Sequence, residues 1–182
     1  MAETPQPSQP RPTSDRYDWE KNLIHYGMQF SPQLIAKAKG TMLWDTSGRG
    51  IIDFTSGQMC STLGHNHKRI VEAIREACDG ALHLFSGMMS PPVIELSQRL
   101  AAILPSSLSR SMFLSTGGEA NEAAFRLAKL HTGRFEVVGM TGSWHGMTQG
   151  AASTTYVAGR KGYGPSAPGA MAIPAPNAYH CP

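Results

Sequence analysis

The stretch Ser115-Thr-Gly-Gly-Glu-Ala-Asn121 constrains this chain more than any other. It follows the short apolar run Met112-Phe113-Leu114 and opens a helical pattern over 119–130. Strand, small-residue turn and helix start make a geometry that can cradle a phosphate. Glycines let backbone N–H groups approach an anion, and the first turn of a helix leaves its own N–H groups unpaired. The same residues also fit a capping box, in which Thr116 caps the helix and Glu119 reaches back, and a helix start built that way can bind nothing. A second segment, Ser143-Trp-His-Gly-Met-Thr148, follows the next predicted strand. It places a flat aromatic and an imidazole where α/β sheets hold ligands. Together the two segments suit a planar, phosphorylated cofactor.

Charge and composition remove several alternatives. The chain has 182 residues, a net charge of +3 and only 16% charged residues, and no basic run exceeds a pair such as Arg160-Lys161. That argues against a nucleic-acid footprint, which needs a clustered basic face. No apolar run approaches the length of a membrane span. The N-terminus lacks an apolar secretory core, and Glu3 and Asp15 interrupt any transit-peptide pattern. Cys60, Cys78 and Cys181 are odd in number and form no C-x-x-C motif, which fits free thiols in a reducing, cytoplasmic compartment.

Three segments are expected. Residues 1–15 are rich in Pro, Gln, Ser and Thr and too poor in large apolar side chains to offset their ordering entropy, so they read as a disordered tail. Residues 16–62 form an N-terminal segment: a short amphipathic helix carrying Trp19, Leu23, Ile24 and Tyr26, then a β-hairpin of 38–45 and 51–54 around Thr46-Ser-Gly-Arg-Gly50. Residues 63–182 begin a larger α/β domain. Apolar periodicity predicts a helix over 68–79, with Ile70, Val71, Ile74 and Ala77 on one face. Pro91-Pro92 starts another, with Val93, Leu96, Leu100 and Ala101 facing inward. A strand over 111–114, a helix over 119–132 and a strand over 135–140 then read as a βαβ unit with a parallel pair. Little regular structure is expected over 151–182.

Other residues carry weaker signals. Gly64-His-Asn-His67, with His83 downstream, has the look of a metal site but lacks a carboxylate or thiol at ligand spacing; its histidines equally well begin the following helix. Ser56-Gly-Gln-Met59 is a polar loop after a strand, and Lys161 is an exposed loop charge.

Five runs in order amount to a resemblance: Asp53-Phe-Thr-Ser-Gly-Gln-Met59, Gly64-His-Asn-His67, His83-Leu-Phe-Ser-Gly87, Leu114-Ser-Thr-Gly-Gly-Glu-Ala-Asn-Glu-Ala123 and Ser143-Trp-His-Gly-Met-Thr148. From about residue 17 onward the chain resembles the class III aminotransferases, pyridoxal-phosphate enzymes of fold type I. Within that class, Gln58 and Trp144 make it most similar to the 2,2-dialkylglycine decarboxylases.

The resemblance implies an α/β fold: an N-terminal segment and the first part of a parallel-sheet large domain. It implies that Thr116, Gly117 and Gly118 hold the phosphate of pyridoxal 5'-phosphate and that Trp144 stacks on its ring. His145 would fix the ring and substrate positions. Gln58 would hydrogen-bond the substrate carboxylate held perpendicular to the ring, the bond that breaks. Gln58 and His145 are thus the implied catalytic residues. The Leu84 carbonyl and Ser86 would contribute to a K+ or Na+ site, and 101–108 to a second.

Implied partners are amino-acid and keto-acid substrates and further copies of the chain in a dimer or tetramer, with no nucleic acid and no membrane. The implied reaction is decarboxylation of a 2,2-dialkylglycine with amino transfer to pyruvate. The alternatives are an ω-aminotransferase without decarboxylation and an inactive truncated homologue. The family's Schiff-base lysine has no counterpart among Lys21, Lys37, Lys39, Lys68, Lys129 and Lys161. The chain therefore reads as the N-terminal part of a longer enzyme and is expected to be inactive alone.

Overall fold

The computed structural model describes residues 22–24, 30–157 and 164–179. The proposed tail over 1–15 and most of the helix expected near Trp19 lie outside them. The chain divides into two compact units, Met1–Ile24 with Phe30–Pro91, and His25–Gln29 with Pro92–Pro182.

In the first unit, β1 (Ile35–Lys39), β2 (Met42–Asp45) and β3 (Gly50–Ile52) form an antiparallel sheet in that order. The run 38–45, expected as one strand, is broken at Gly40, whose φ of +57° turns β1 back onto β2. Between β2 and β3 the Asp45 carboxylate builds the turn, accepting from the Ser47 hydroxyl (2.6 Å) and from the amides of Ser47 (2.9 Å) and Arg49 (3.0 Å). Lys37 and Trp44 are cross-strand partners, with the Lys37 ammonium 5.3 Å from the ring centroid.

The chain then makes one irregular turn, α1 (Ser56–Met59), and returns to the sheet. His65 and Gly40 exchange backbone hydrogen bonds of 2.8 and 2.9 Å, and Asn66 donates to the Ala38 carbonyl at 2.7 Å. Helix α2 (Lys68–Cys78) follows. Its apolar face has the expected spacing, yet Ile70 and Ile74 stay 47% and 59% exposed.

The second unit holds α3 (Pro91–Ile103), α4 (Gly117–Thr132), β4 (Val137–Met140), α5 (Gln149–Ser153) and β5 (Ala170–Ile173), α3 beginning at the unit boundary. The three longer helices among the described residues occupy their expected positions. The expected strand over 111–114 is not formed, because a strand exists only when a neighbour accepts its ladder and none of the described residues does so. The parallel pair is instead β4 with β5, Val137 opposite Ala170 through Met140 opposite Ile173. Both α5 and β5 fall where little regular structure was expected. Among Gly and Pro residues a four-residue strand leaves no periodicity to read; only its partner defines it.

The buried centre of this unit is small and rich in hydroxyls: Ala151, Ser153, Thr154 and Thr155, with Gly139 of β4. Each hydroxyl is satisfied locally. Ser153 donates to the Gln149 carbonyl (2.6 Å) and accepts from the Ala167 amide (2.7 Å), while Thr155 donates to the Ala151 carbonyl (2.9 Å). Gly139 permits the contact: a Cβ there would lie 2.7 Å from the Thr154 carbonyl oxygen and 3.0 Å from the Tyr156 ring. Gly139→Ala should destabilise the protein by roughly 2 kcal/mol or more, since overpacking against backbone is not relieved by a rotamer change. Gly80→Ala, whose added Cβ would sit 3.6 Å from the Ala77 carbonyl oxygen, should stay within about 0.5 kcal/mol. Urea midpoints of the two variants check the difference.

Candidate functional site

Helix α4 starts with a complete capping box. Thr116 is extended (φ −136°, ψ 158°) and its hydroxyl accepts from the Glu119 amide at 3.2 Å, while the Glu119 carboxylate accepts from the Thr116 amide at 2.9 Å. The capping reading and the cradle reading are therefore compatible. The box satisfies the amides of Thr116 and Glu119, and those of Gly117 and Gly118 meet no acceptor among the described residues. The Thr116 hydroxyl accepts within the box and keeps its own proton to donate outward. At the other end Lys129 and His131 occupy the last turn and Gly133 (φ +66°) closes it, so charge and cap agree with the helix direction.

Neither glycine of the cradle is required by the chain's own packing. Both are helical, and a Cβ on Gly117 would meet nothing within 4 Å. A Cβ on Gly118 would make only ordinary contact with Thr148, at 3.5 Å. Glycine in a helix costs up to about 1 kcal/mol relative to alanine. Two successive glycines with no internal reason leave open backbone amides at a helix N-terminus, the arrangement an anion needs.

The 143–148 loop lies against this first turn. Gly146 has φ +129°, and a Cβ there would fall 2.6 Å from the Gly118 Cα; only glycine lets the two backbones approach so closely. The His145 peptide is held on both sides, its amide donating to the Thr155 hydroxyl (2.9 Å) and its carbonyl accepting from the Asn121 side chain (2.7 Å). Glu122 secures the next segment by accepting the amides of Gly150 (2.6 Å) and Ala151 (3.1 Å) at the start of α5. Thr116, Gly117, Gly118, Trp144 and His145 are thus gathered in one place. Trp144 is 52% exposed and His145 half-buried.

Gln58, Leu84 and Ser86 belong to the first unit. Gln58 is exposed in α1, and Leu84 and Ser86 lie in an exposed loop. Of the His-x-His pair, His65 joins Asp53 at 2.6 Å. Among the described residues no group of three His, Cys, Asp or Glu side chains is placed to hold a metal ion. Cys60 and Cys78 are free, exposed thiols, and Cys181 lies outside the described residues. No described helix is long and apolar enough to cross a membrane. A concavity of the second unit, about 520 Å³, is lined by Phe125, Lys129 and Gly169 among others, and none of the cradle residues lines it.

Asn121, Glu122 and Thr155 carry no signal in the sequence that marks them as part of the site. Their partners stand 24, 28 and 10 residues away, and no local pattern signals such bonds.

Burial works to raise the Glu122 carboxyl, but the Thr148 hydroxyl and the amides of Ala151 and Gly150 outweigh it and hold the group below its ordinary value. The folded form thus titrates lower than the unfolded one. The stabilisation is complete above the ordinary 4.5 and is lost as pH falls below it. Glu122→Gln should lower the thermal midpoint at neutral pH and flatten part of its decline below pH 4.5; melting curves across pH 3 to 7 read both effects.

A family model for class-III aminotransferases matches residues 26–182. An uncharacterised aminotransferase of Schizosaccharomyces pombe is 51% identical over 157 residues, covering 86% of this chain and 35% of the relative. A diaminobutyrate–2-oxoglutarate aminotransferase of Haemophilus influenzae is 36% identical over 172 residues, covering 92% and 38%. The crystal structure of the taurine:2-oxoglutarate aminotransferase of Bifidobacterium kashiwanohense, in complex with PLP and glutamate, superposes with a TM-score of 0.80 at 31% identity, over 90% of this chain and 37% of that one. This chain spans a little over a third of the length of these proteins. Its α/β architecture is part of the fold of the fold type I transaminases. By sequence and by fold, the chain belongs to the class III aminotransferases.

Proposed function

We propose that this chain carries the phosphate-holding end of a pyridoxal 5'-phosphate site in a transaminase that moves an amino group between an amino acid and a keto acid. The observation that carries the reading is the pair Gly117 and Gly118, whose amides are open and whose missing side chains the chain's own packing does not require. When bound, pyridoxal phosphate supplies an electron sink conjugated to the substrate amine. The chain's residues divide the remaining work. The Gly117 and Gly118 amides and the Thr116 hydroxyl bind the phosphate, with the positive end of the α4 dipole behind them. Trp144 would stack on the cofactor ring, and His145, with its peptide fixed by Asn121 and Thr155, would hold the edge of the site. Gln58 presents its amide to a substrate carboxylate. The Leu84 carbonyl and the Ser86 hydroxyl, hard oxygen donors of the kind K+ or Na+ prefers, complete the assignment, in a homo-oligomer.

The cradle is tested by a change with two opposite signs. Gly117→Ala should stabilise the cofactor-free protein by roughly 0.5–1 kcal/mol through helix propensity. It should also weaken pyridoxal phosphate binding by about tenfold, because the methyl stands over the amides the phosphate uses. Thermal melts and a fluorescence titration separate the two. Unchanged cofactor affinity would falsify the cradle.

The finer reading is that Gln58 orients the carboxylate of a 2,2-dialkylglycine so that it leaves as carbon dioxide, and the amino group passes to pyruvate. Amino transfer without decarboxylation is the second reading. It is favoured by the diaminobutyrate–2-oxoglutarate aminotransferase at 36% identity, whose name describes transfer alone. Supplied with 2-aminoisobutyrate and pyruvate, the enzyme in which this segment stands together with the Schiff-base lysine should release acetone and carbon dioxide on the first reading. Neither product appears on the second, while transfer from an ordinary amino acid persists.

A further inference from the structure

The Gln58 loop of the first unit has a backbone that its own sequence does not explain. Ser56 (φ +52°), Gly57 (φ +65°, ψ −124°) and Met59 (φ +61°) all sit at positive φ, and Gln58 lies between them at φ −90°, ψ 46°. Two of the three positive-φ residues carry side chains. Such torsions persist only where the surroundings over-determine them.

One carboxylate does so. Asp53, at the end of β3, has a side chain only 5% exposed. Its Oδ1 accepts from the Thr55 amide (2.8 Å) and the Thr55 hydroxyl (2.7 Å). Its Oδ2 accepts from the Gly57 amide (2.9 Å) and meets His65 Nε2 at 2.6 Å. The Thr55 hydroxyl first, then the His65 ring and the Gly57 amide, hold the Asp53 carboxyl well below the ordinary carboxylate range, which suits it as the acceptor of this cluster.

His65 is itself immobilised. Its backbone is bridged both ways to Gly40 at the β1–β2 turn. Gly64, at φ +87°, brings it there, since a Cβ on Gly64 would stand 3.1 Å from the Gly40 Cα. The sheet therefore fixes His65, His65 fixes Asp53, and Asp53 fixes the amide one residue before Gln58. Nothing in this chain of bonds touches the Gln58 side chain, which is left exposed.

We propose that Asp53 and His65 are positioning residues that lock the strained turn so that the Gln58 amide is presented, preorganised, to a substrate carboxylate. The proposal rests on the reading that Gln58 meets that carboxylate. A bland alternative is a polar staple that merely closes a loop. The two differ in what they predict for substrates with and without a carboxylate.

The experiment uses the purified, cofactor-loaded enzyme in which this segment stands together with the Schiff-base lysine, and the variants Gln58→Ala, Asp53→Asn, His65→Ala and His65→Gln. Two readouts are taken: hydrogen–deuterium exchange over 54–61, and kcat and KM for L-alanine and isopropylamine, which differ at a single substituent. Asp53→Asn and His65→Ala should speed exchange over 54–61 by about tenfold or more. They should also raise KM for L-alanine by about tenfold, with isopropylamine kinetics within about threefold. His65→Gln, which keeps a donor for Asp53, should restore both. Should Asp53→Asn fail to fold, the two His65 variants carry the test.

If Gln58→Ala shows no difference between the two donors, the reading of Gln58 fails and this proposal with it. If Gln58→Ala discriminates but the Asp53 and His65 variants change neither exchange nor the KM split, the proposal alone is overturned. An equal loss with both donors assigns the pair a structural role and overturns it too.

Discussion

The approach of two backbones at Gly118 and Gly146 governs the second unit. A Cβ on Gly146 would lie 2.6 Å from the Gly118 Cα, so the loop bearing Trp144 and His145 reaches the first turn of α4 only because Gly146 lacks a side chain. Asn121 reaches the His145 carbonyl, and Glu122 reaches the amides of Gly150 and Ala151. An open helix N-terminus comes to share a wall with an aromatic ring. Small residues serve here as geometry, and long polar side chains stitch the geometry down.

The first unit uses the same economy. A carboxylate buried among donors, Asp53, organises the turn of Gln58, as Asp45 organises the turn between β2 and β3. In both units the fixed points are hydrogen bonds that span a loop, and the apolar stripes contribute little closure: Ile74 is 59% exposed and Leu127 of α4 is 53% exposed. Burial at about 25 cal/mol per Å² stabilises only what is removed from water. Polar stitching is correspondingly prominent in what orders the described residues, and the site residues depend on it directly.

Much of this was legible beforehand. The helices at 68–78, 91–103 and 117–132 declare themselves through apolar periodicity, proline at a start and glycine at an end. The capping box at Thr116 and Glu119 is readable because its two halves stand three residues apart. The strand β5 was not legible, because four residues among glycines and prolines acquire strand character only from β4. The expected strand over 111–114 is the mirror case: its composition suits a strand, and no described neighbour completes the ladder. The Asp53–His65 pair was hidden for the same reason, being twelve residues apart in sequence and set side by side by the Gly40–His65 bridge.

The sequence by itself determined the local elements, the capped helix start and the chemistry available at Thr116, Trp144, His145 and Gln58. These depend on residue type and on spacings of three to four, which local sterics and hydrogen bonding convert directly into structure. Only the tertiary structure decided that the Gly117 and Gly118 amides stay open, that Gly146 closes on Gly118, and that Asp53 engages His65. Those outcomes rest on groups distant in the chain meeting within hydrogen-bond distance, and such a bond is worth having only once both partners are held in place.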